Sequence, residues 1–226
     1  MSVSVAPAEA PRVSRDWSNI VGFLSCIAMA VFAAVRSPDV LLLLAPVLLY
    51  DLALALSFLV RSRPVRVNTG WRQRFAAYGG TYLMMLALPI IAEVAPSWLA
   101  PTDVAGLIST GAVLRAFGFA LCAWGLWHLR RSFSLIPAAR ALVTGGAYAL
   151  FRHPLYVGYG ATFVGGLFQR PTLPYALLVA TWLWVTYRRI QYEEAVLESA
   201  FPEYFDYRNR VGLLAPRFQL TRSRTA

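Results

Sequence analysis

Long apolar runs constrain this chain more than any motif. Six segments, at positions 17–35, 39–60, 75–95, 104–129, 154–168 and 172–187, are each nearly free of charge and of a length that spans or nearly spans a bilayer as a helix. With 58% hydrophobic residues among 226, the sequence exceeds what an ordinary soluble domain carries. The first run ends near Ala28-Met29-Ala30, which has the look of a signal cleavage site. Its length and the spans that follow favour an uncleaved first transmembrane helix. The expected fold is therefore an all-α integral membrane protein of about six spans.

Charge patterning orients the spans. The net charge is +10, and every basic residue is an arginine. A basic balance can mark a nucleic-acid binder, but here the arginines gather at segment ends, as the positive-inside rule requires. With the amino terminus inside, all arginines except Arg36, Arg115 and Arg170 fall on the cytoplasmic side. Both termini are then expected in the cytoplasm of a bacterial-type inner membrane. Positions 1–16 and 217–226 read as disordered tails, 17–129 as four spans, and 130–216 as the region that carries the chemistry. The two cysteines lie in apolar runs and there are only two histidines, so neither a disulfide framework nor a metal site is expected. Cys26, Cys122, Met84 and Met85 read as packing residues, His128 as a boundary residue, and the tryptophans mostly as an interfacial belt.

Two charges fall inside spans: Asp51 and Arg115. At that depth a charge is costly unless paired or wet. They read either as an ion pair locking the second and fourth spans or as the polar wall of a substrate cavity.

The segment 141–158, ALVTGGAYALFRHPLYVG, interrupts the apolar pattern. Gly145-Gly146 break a helix. His153 precedes a proline and so is expected just outside a helix that starts at Pro154. Such a helix start offers free N–H groups to an anion near Arg152 and His153. Further on, Arg189 and Glu193 are four apart and share a helix face. The acidic and aromatic stretch that follows, with Glu198, Tyr204 and Tyr207, reads as an amphipathic tail on the membrane or as a cover over a polar pocket.

LVTGGAYALFRHPLYVG, followed by EEAVLESAFPEYFDYRNRV, resembles the isoprenylcysteine carboxyl methyltransferase family. The wider group includes the membrane phospholipid methyltransferases. The resemblance implies S-adenosylmethionine as cofactor, bound on the cytoplasmic side. It implies that Leu142, Val143, Tyr148, His153, Pro154, Leu155, Tyr156 and Glu193 contact that cofactor. It also implies that Arg189 faces the substrate, with Arg189 and Glu193 the catalytic pair. The acceptor expected is a lipophilic molecule from the bilayer, first a prenylcysteine-like carboxylate, with a lipid amine or a small thiol as alternatives. A nicotinamide-dependent membrane reductase and a non-enzymatic membrane protein are the rival classes; no GxGxxG follows a strand here. Neither nucleic acid nor metal is expected as a partner.

Overall fold

The computed structural model describes residues 17–36, 41–60, 62–67, 70–94 and 105–217. The tail expected at 1–16, nearly all of that at 217–226, and the turn around Pro96, Trp98 and Pro101 lie outside the described residues, as does the side chain of Met85. Helices cover all six apolar runs. They are α1 (Trp17–Arg36), α2 (Leu41–Val60), α3 (Trp71–Val94), α4 (Ala105–Leu129), α6 (Pro154–Gln169) and α7 (Leu173–Ala200). Two short helices, α5 (Ala147–Leu150) and α8 (Tyr204–Arg210), flank the last pair. Among the described residues one helical stretch, Gly106–Ser132, is long and apolar enough to cross a membrane, and Tyr50–Val60 is a shorter apolar helix. Large apolar side chains such as Val113, Phe117, Trp127, Leu177 and Trp184 are exposed around the helices. That is the surface expected of helices that face lipid rather than water.

Three features depart from the sequence reading. First, the chain is not wholly α. β1 (Arg66–Val67) pairs antiparallel with β2 (Ala138–Ala139), tying the arginine-rich loop to the segment before α5. Second, the helical stretch expected around Arg189 and Glu193 is part of α7 and runs on well past them. It continues to Ala200, because RRIQYEEAVLESA contains only helix-compatible residues and the first breaker is Pro202. The helix therefore carries Arg189, Glu193 and Glu194 rigidly beyond the apolar run. Third, Trp182 is an exception to the belt that holds most tryptophans in the sequence reading, and it lines the cavity described below. It is 4% exposed and meets Phe163 edge-on at a centroid distance of 4.8 Å.

The closest helix pair is α4 with α6. Gly111, Gly118 and Gly125 recur every seven residues on α4; Gly111 faces Gly165, Gly118 faces Gly158 and Thr162, and Gly125 faces Pro154 and Leu155 on α6. A methyl group on Gly118 would lie 2.5 Å from the carbonyl oxygen of Gly158, and one on Gly165 would lie 2.6 Å from that of Gly111. The two backbones thus touch along a glycine seam, the small-residue packing that apolar helices use in lipid. This seam fixes the level of α6, and with it the start of that helix at Pro154.

Gly146 has a positive φ of 61°. A Cβ there would run into the His128 ring. His128, at the end of α4, donates from Nδ1 to the Trp124 carbonyl oxygen at 2.9 Å and packs over this turn. The turn then aims α5 and Phe151 back toward α6.

Candidate functional site

His153 has a non-helical backbone (φ −129°, ψ 63°), and Pro154 occupies the first turn of α6. This is the helix start expected from the sequence. Its free N–H groups are fewer than expected. The backbone N–H groups of Arg152 and His153 donate to the carbonyl oxygens of Gly212 and Leu213, at 2.9 and 3.3 Å. Those of Tyr156 and Val157 turn back to the His153 carbonyl. The carboxy-terminal segment thus pins the backbone just before the helix start. Tyr207 reinforces this clasp by donating its hydroxyl to the Tyr148 carbonyl oxygen at 2.7 Å, and Arg152 donates from Nη1 to the Arg208 carbonyl at 2.9 Å.

Side-chain charges converge at the same place. Arg152 Nε lies 2.9 Å from Glu194 Oε1, and His153 Nε2 lies 3.3 Å from the same oxygen. Glu193 Oε1 accepts from the Tyr156 hydroxyl at 2.6 Å and from Arg189 Nε at 2.9 Å. The Arg189–Glu193 pair is thus largely buried, with the arginine 7% exposed, rather than a bridge on the membrane surface. Arg189 is also committed elsewhere. Nη1 donates to Thr81 Oγ1 at 3.0 Å and to the Ala77 carbonyl at 3.4 Å, and Nη2 to the Leu135 carbonyl at 2.6 Å. One guanidinium joins α3, the segment before β2, and α7. The guanidinium also lies 5.4 Å from the Tyr156 ring centroid, while that ring stacks on His153 at 5.6 Å.

Glu194 was visible in the sequence only as the second half of an acidic pair; the fold makes it the partner of both Arg152 and His153. Burial works against its ionisation, but the hydrogen bond from His153 and the charges of His153 and Arg152 outweigh burial. They hold its carboxyl below the usual glutamate range. A depressed folded pKa contributes stability that is complete above the unfolded value and is lost as pH falls through the folded one. Glu194→Gln should therefore flatten the decline in thermal stability on the acid side of the ordinary glutamate pKa, and leave the slope near neutrality unchanged. Melting curves of both proteins from pH 3 to 7 check this.

A cavity of about 870 Å³ runs alongside α6 from His153 to Arg170. Leu142, Val143, Tyr148, His153, Leu155, Tyr156, Arg189 and Glu193 all line it. Pro154, which the resemblance placed on the cofactor, does not. It is fully buried, with its ring packed toward Gly125, and its part is to set the helix start. Tyr204, Tyr207 and Leu197 join the lining from the carboxy-terminal side, so that segment covers the cavity rather than lying flat on a membrane. Of the two readings of this acidic and aromatic stretch, the structure favours the cover. Asp51 and Arg115 line the same cavity further along. Among the described residues they form no ion pair with each other, which corrects the paired reading. Arg115 instead donates from Nη1 to Gln169 Oε1 at 2.7 Å.

Residues 107–204 match the family model described as phospholipid methyltransferase. The chain is 40% identical over 78 residues to the protein-S-isoprenylcysteine O-methyltransferase of Tribolium castaneum, covering 33% of this chain and 27% of the relative. It is 37% identical over 84 residues to the nickel-cobalt-cadmium resistance protein NccN of Alcaligenes xylosoxydans xylosoxydans, covering 36% of this chain and 39% of the relative. A cobalt-zinc-cadmium resistance protein, CzcN of Cupriavidus metallidurans, is 37% identical over 82 residues, again 36% of this chain and 38% of the relative. The matches span well under half the length of each of these relatives. The resemblance to the wider group of membrane methyltransferases is borne out over this segment, which contains most of the lining at the His153 end of the cavity.

Proposed function

We propose that this chain is an integral-membrane methyltransferase that uses S-adenosylmethionine and acts on a lipophilic acceptor entering from the bilayer. One observation carries the reading. Leu142, Val143, Tyr148, His153, Leu155 and Tyr156, together with the distant Glu193, line one cavity at the end of α6 where the buried charges cluster. In this reading the six long helices span the membrane, both termini are cytoplasmic, and the His153 end of the cavity faces the cytoplasm.

The residues present fit the cofactor. At about 870 Å³ the cavity lies in the upper part of the range for small-molecule sites, which leaves room for an acceptor beside a nucleoside. Glu193 Oε2 is 3.8 Å from His153 Nδ1, beyond hydrogen-bond distance, and keeps acceptor capacity for hydroxyl or amino groups. Tyr156 has its ring engaged by His153 and Arg189, so Tyr148 is the aromatic face assigned to a cation. His153, beside Glu194, is assigned to the cofactor's charged tail. The bound cofactor supplies a methyl group on a positive sulfur, an electrophile whose transfer needs alignment and exclusion of water more than acid–base help. The chain provides both. Tyr207 and the Gly212–Leu213 clasp close the cytoplasmic face, and the Tyr156–Glu193 bond with the Arg189 bonds to Thr81 and Leu135 holds the walls of the cavity in register.

The acceptor implied by the isoprenylcysteine resemblance is a carboxylate received by Arg189. Arg189 reaches such a group only by exchanging a bond to Thr81, Ala77 or Leu135. A lipid amine or a thiol places no such demand on it. Calorimetric titration with S-adenosylhomocysteine tests the reading. Micromolar binding that weakens at least about tenfold in His153→Ala supports it. Absence of binding, or binding indifferent to His153, overturns it.

A further inference from the structure

His153 stands between two carboxylates that neighbour each other on α7. Its Nε2 lies 3.3 Å from Glu194 Oε1, within hydrogen-bond distance, and its Nδ1 lies 3.8 Å from Glu193 Oε2, beyond it. An ionised carboxylate only accepts, so the nearer nitrogen is the one that carries a proton. Glu194 is ionised at neutral pH, its carboxyl being held below the usual glutamate range. Arg152 Nε, 2.9 Å from the same Oε1, keeps that oxygen in place. Arg152 is anchored in turn by its bond to the Arg208 carbonyl.

The imidazole has little freedom to leave this arrangement. His153 and Arg152 are buried, and the Tyr156 ring stacks on His153 with 23° between the planes. A half-turn of the ring keeps that stack but puts carbon where each nitrogen stands, and it forfeits the bond to Glu194. In the neutral ring, with the proton on Nε2, Nδ1 is an acceptor. It faces Glu193 Oε2, which among the described residues accepts no hydrogen bond; Oε1 is the oxygen taken by Tyr156 and Arg189. His153 and Glu193 both line the cavity, and among the described residues Glu194 does not. Two acceptors side by side suit a group that brings two hydrogens.

We infer that Glu194 is a positioning residue: it keeps the His153 proton on Nε2 and so presents a bare Nδ1, beside Glu193 Oε2, to one donor group of the bound cofactor. That group is an ammonium or a pair of neighbouring hydroxyls. S-adenosylmethionine carries both, the first on its amino-acid tail and the second on its ribose. The inference rests on the methyltransferase reading for the identity of the ligand, and on these contacts for the role. Glu194 acts through His153 and touches no ligand itself.

The test is a double-mutant cycle on the full chain in nanodiscs, read by calorimetric titration with S-adenosylhomocysteine. Glu194→Gln keeps the size of the side chain and removes its charge. It should weaken binding about fivefold in the parent and less than about twofold in His153→Ala, as coupling within one hydrogen-bond network requires. The same cycle with 5′-methylthioadenosine, which keeps the ribose hydroxyls and lacks the tail, identifies the donor. An undiminished Glu194 effect assigns it to the hydroxyls, and a lost one to the ammonium. Equal weakening in both backgrounds, or none in the parent, overturns the inference. A second measurement needs no Glu194 variant. The chain has two histidines, so nitrogen-15 labelling gives two ring spectra, and His153→Ala assigns them. Recorded on the loaded protein well above the ordinary imidazole pKa, the His153 ring should carry its proton on Nε2. A proton on Nδ1, or on both nitrogens, overturns the inference. If S-adenosylhomocysteine does not bind the parent, the methyltransferase reading fails. If it binds, and weakens in His153→Ala while the cycle is additive, this inference fails alone.

Discussion

Glu193→Ala should lower stability by about 3–5 kcal/mol and abolish cofactor binding. Glu193 Oε1 receives both Tyr156 and Arg189, and Arg189 is 7% exposed. Removing the carboxylate leaves a buried guanidinium whose remaining partners, Thr81 and the Ala77 and Leu135 carbonyls, are all neutral. The pair should be far less sensitive as a unit than in its halves. Replacing both partners with apolar residues of similar volume, Arg189→Met with Glu193→Leu, should restore much of the lost stability without restoring binding. Thermal unfolding in nanodiscs separates the two effects. A double variant whose loss equals the sum of the single losses would show that Arg189 and Glu193 act independently.

The second large effect is expected far from the charges. Gly118→Val inserts a side chain where even a methyl group meets the Gly158 carbonyl at 2.5 Å and the Thr162 hydroxyl. Backbone cannot yield as a flexible side chain does, so the penalty should reach about 3 kcal/mol, the upper end for overpacking. Parting α4 from α6 also shifts the start of α6, so cofactor affinity should fall with stability. Gly79 offers the control: nothing lies within 4 Å of a Cβ built there, and Gly79→Ala should change little. Comparable melting temperatures for the Gly118 and Gly79 variants would contradict the seam.

These two sites differ in how far the sequence announced them. The start of α6 was legible because a histidine before a proline leaves the helical region for steric reasons that need no tertiary structure. The Arg189–Glu193 contact was legible because four residues make one helical turn. What those residues touch across the fold was not. The donors of Arg189 end on Thr81 and Leu135, more than 50 positions away in the chain. The backbone N–H groups of Arg152 and His153 end on Gly212 and Leu213, whose carbonyls leave no compositional trace. The glycine seam has a seven-residue period on α4, but a period names a partner only once the partner is known. Asp51 and Arg115 could be read as a pair or as a cavity wall from the sequence; both line the cavity, and Arg115 is bound to Gln169.

The central claim is that the cavity beside α6 brings a methyl donor to a molecule from the bilayer. The most direct measurement incubates purified protein in nanodiscs with methyl-labelled S-adenosylmethionine and a total lipid extract, then follows the label into the organic phase. The account predicts label in the organic phase, lost in Glu193→Ala. Label that stays on the nucleoside although the protein binds it, or that moves equally well with Glu193→Ala, would contradict the account.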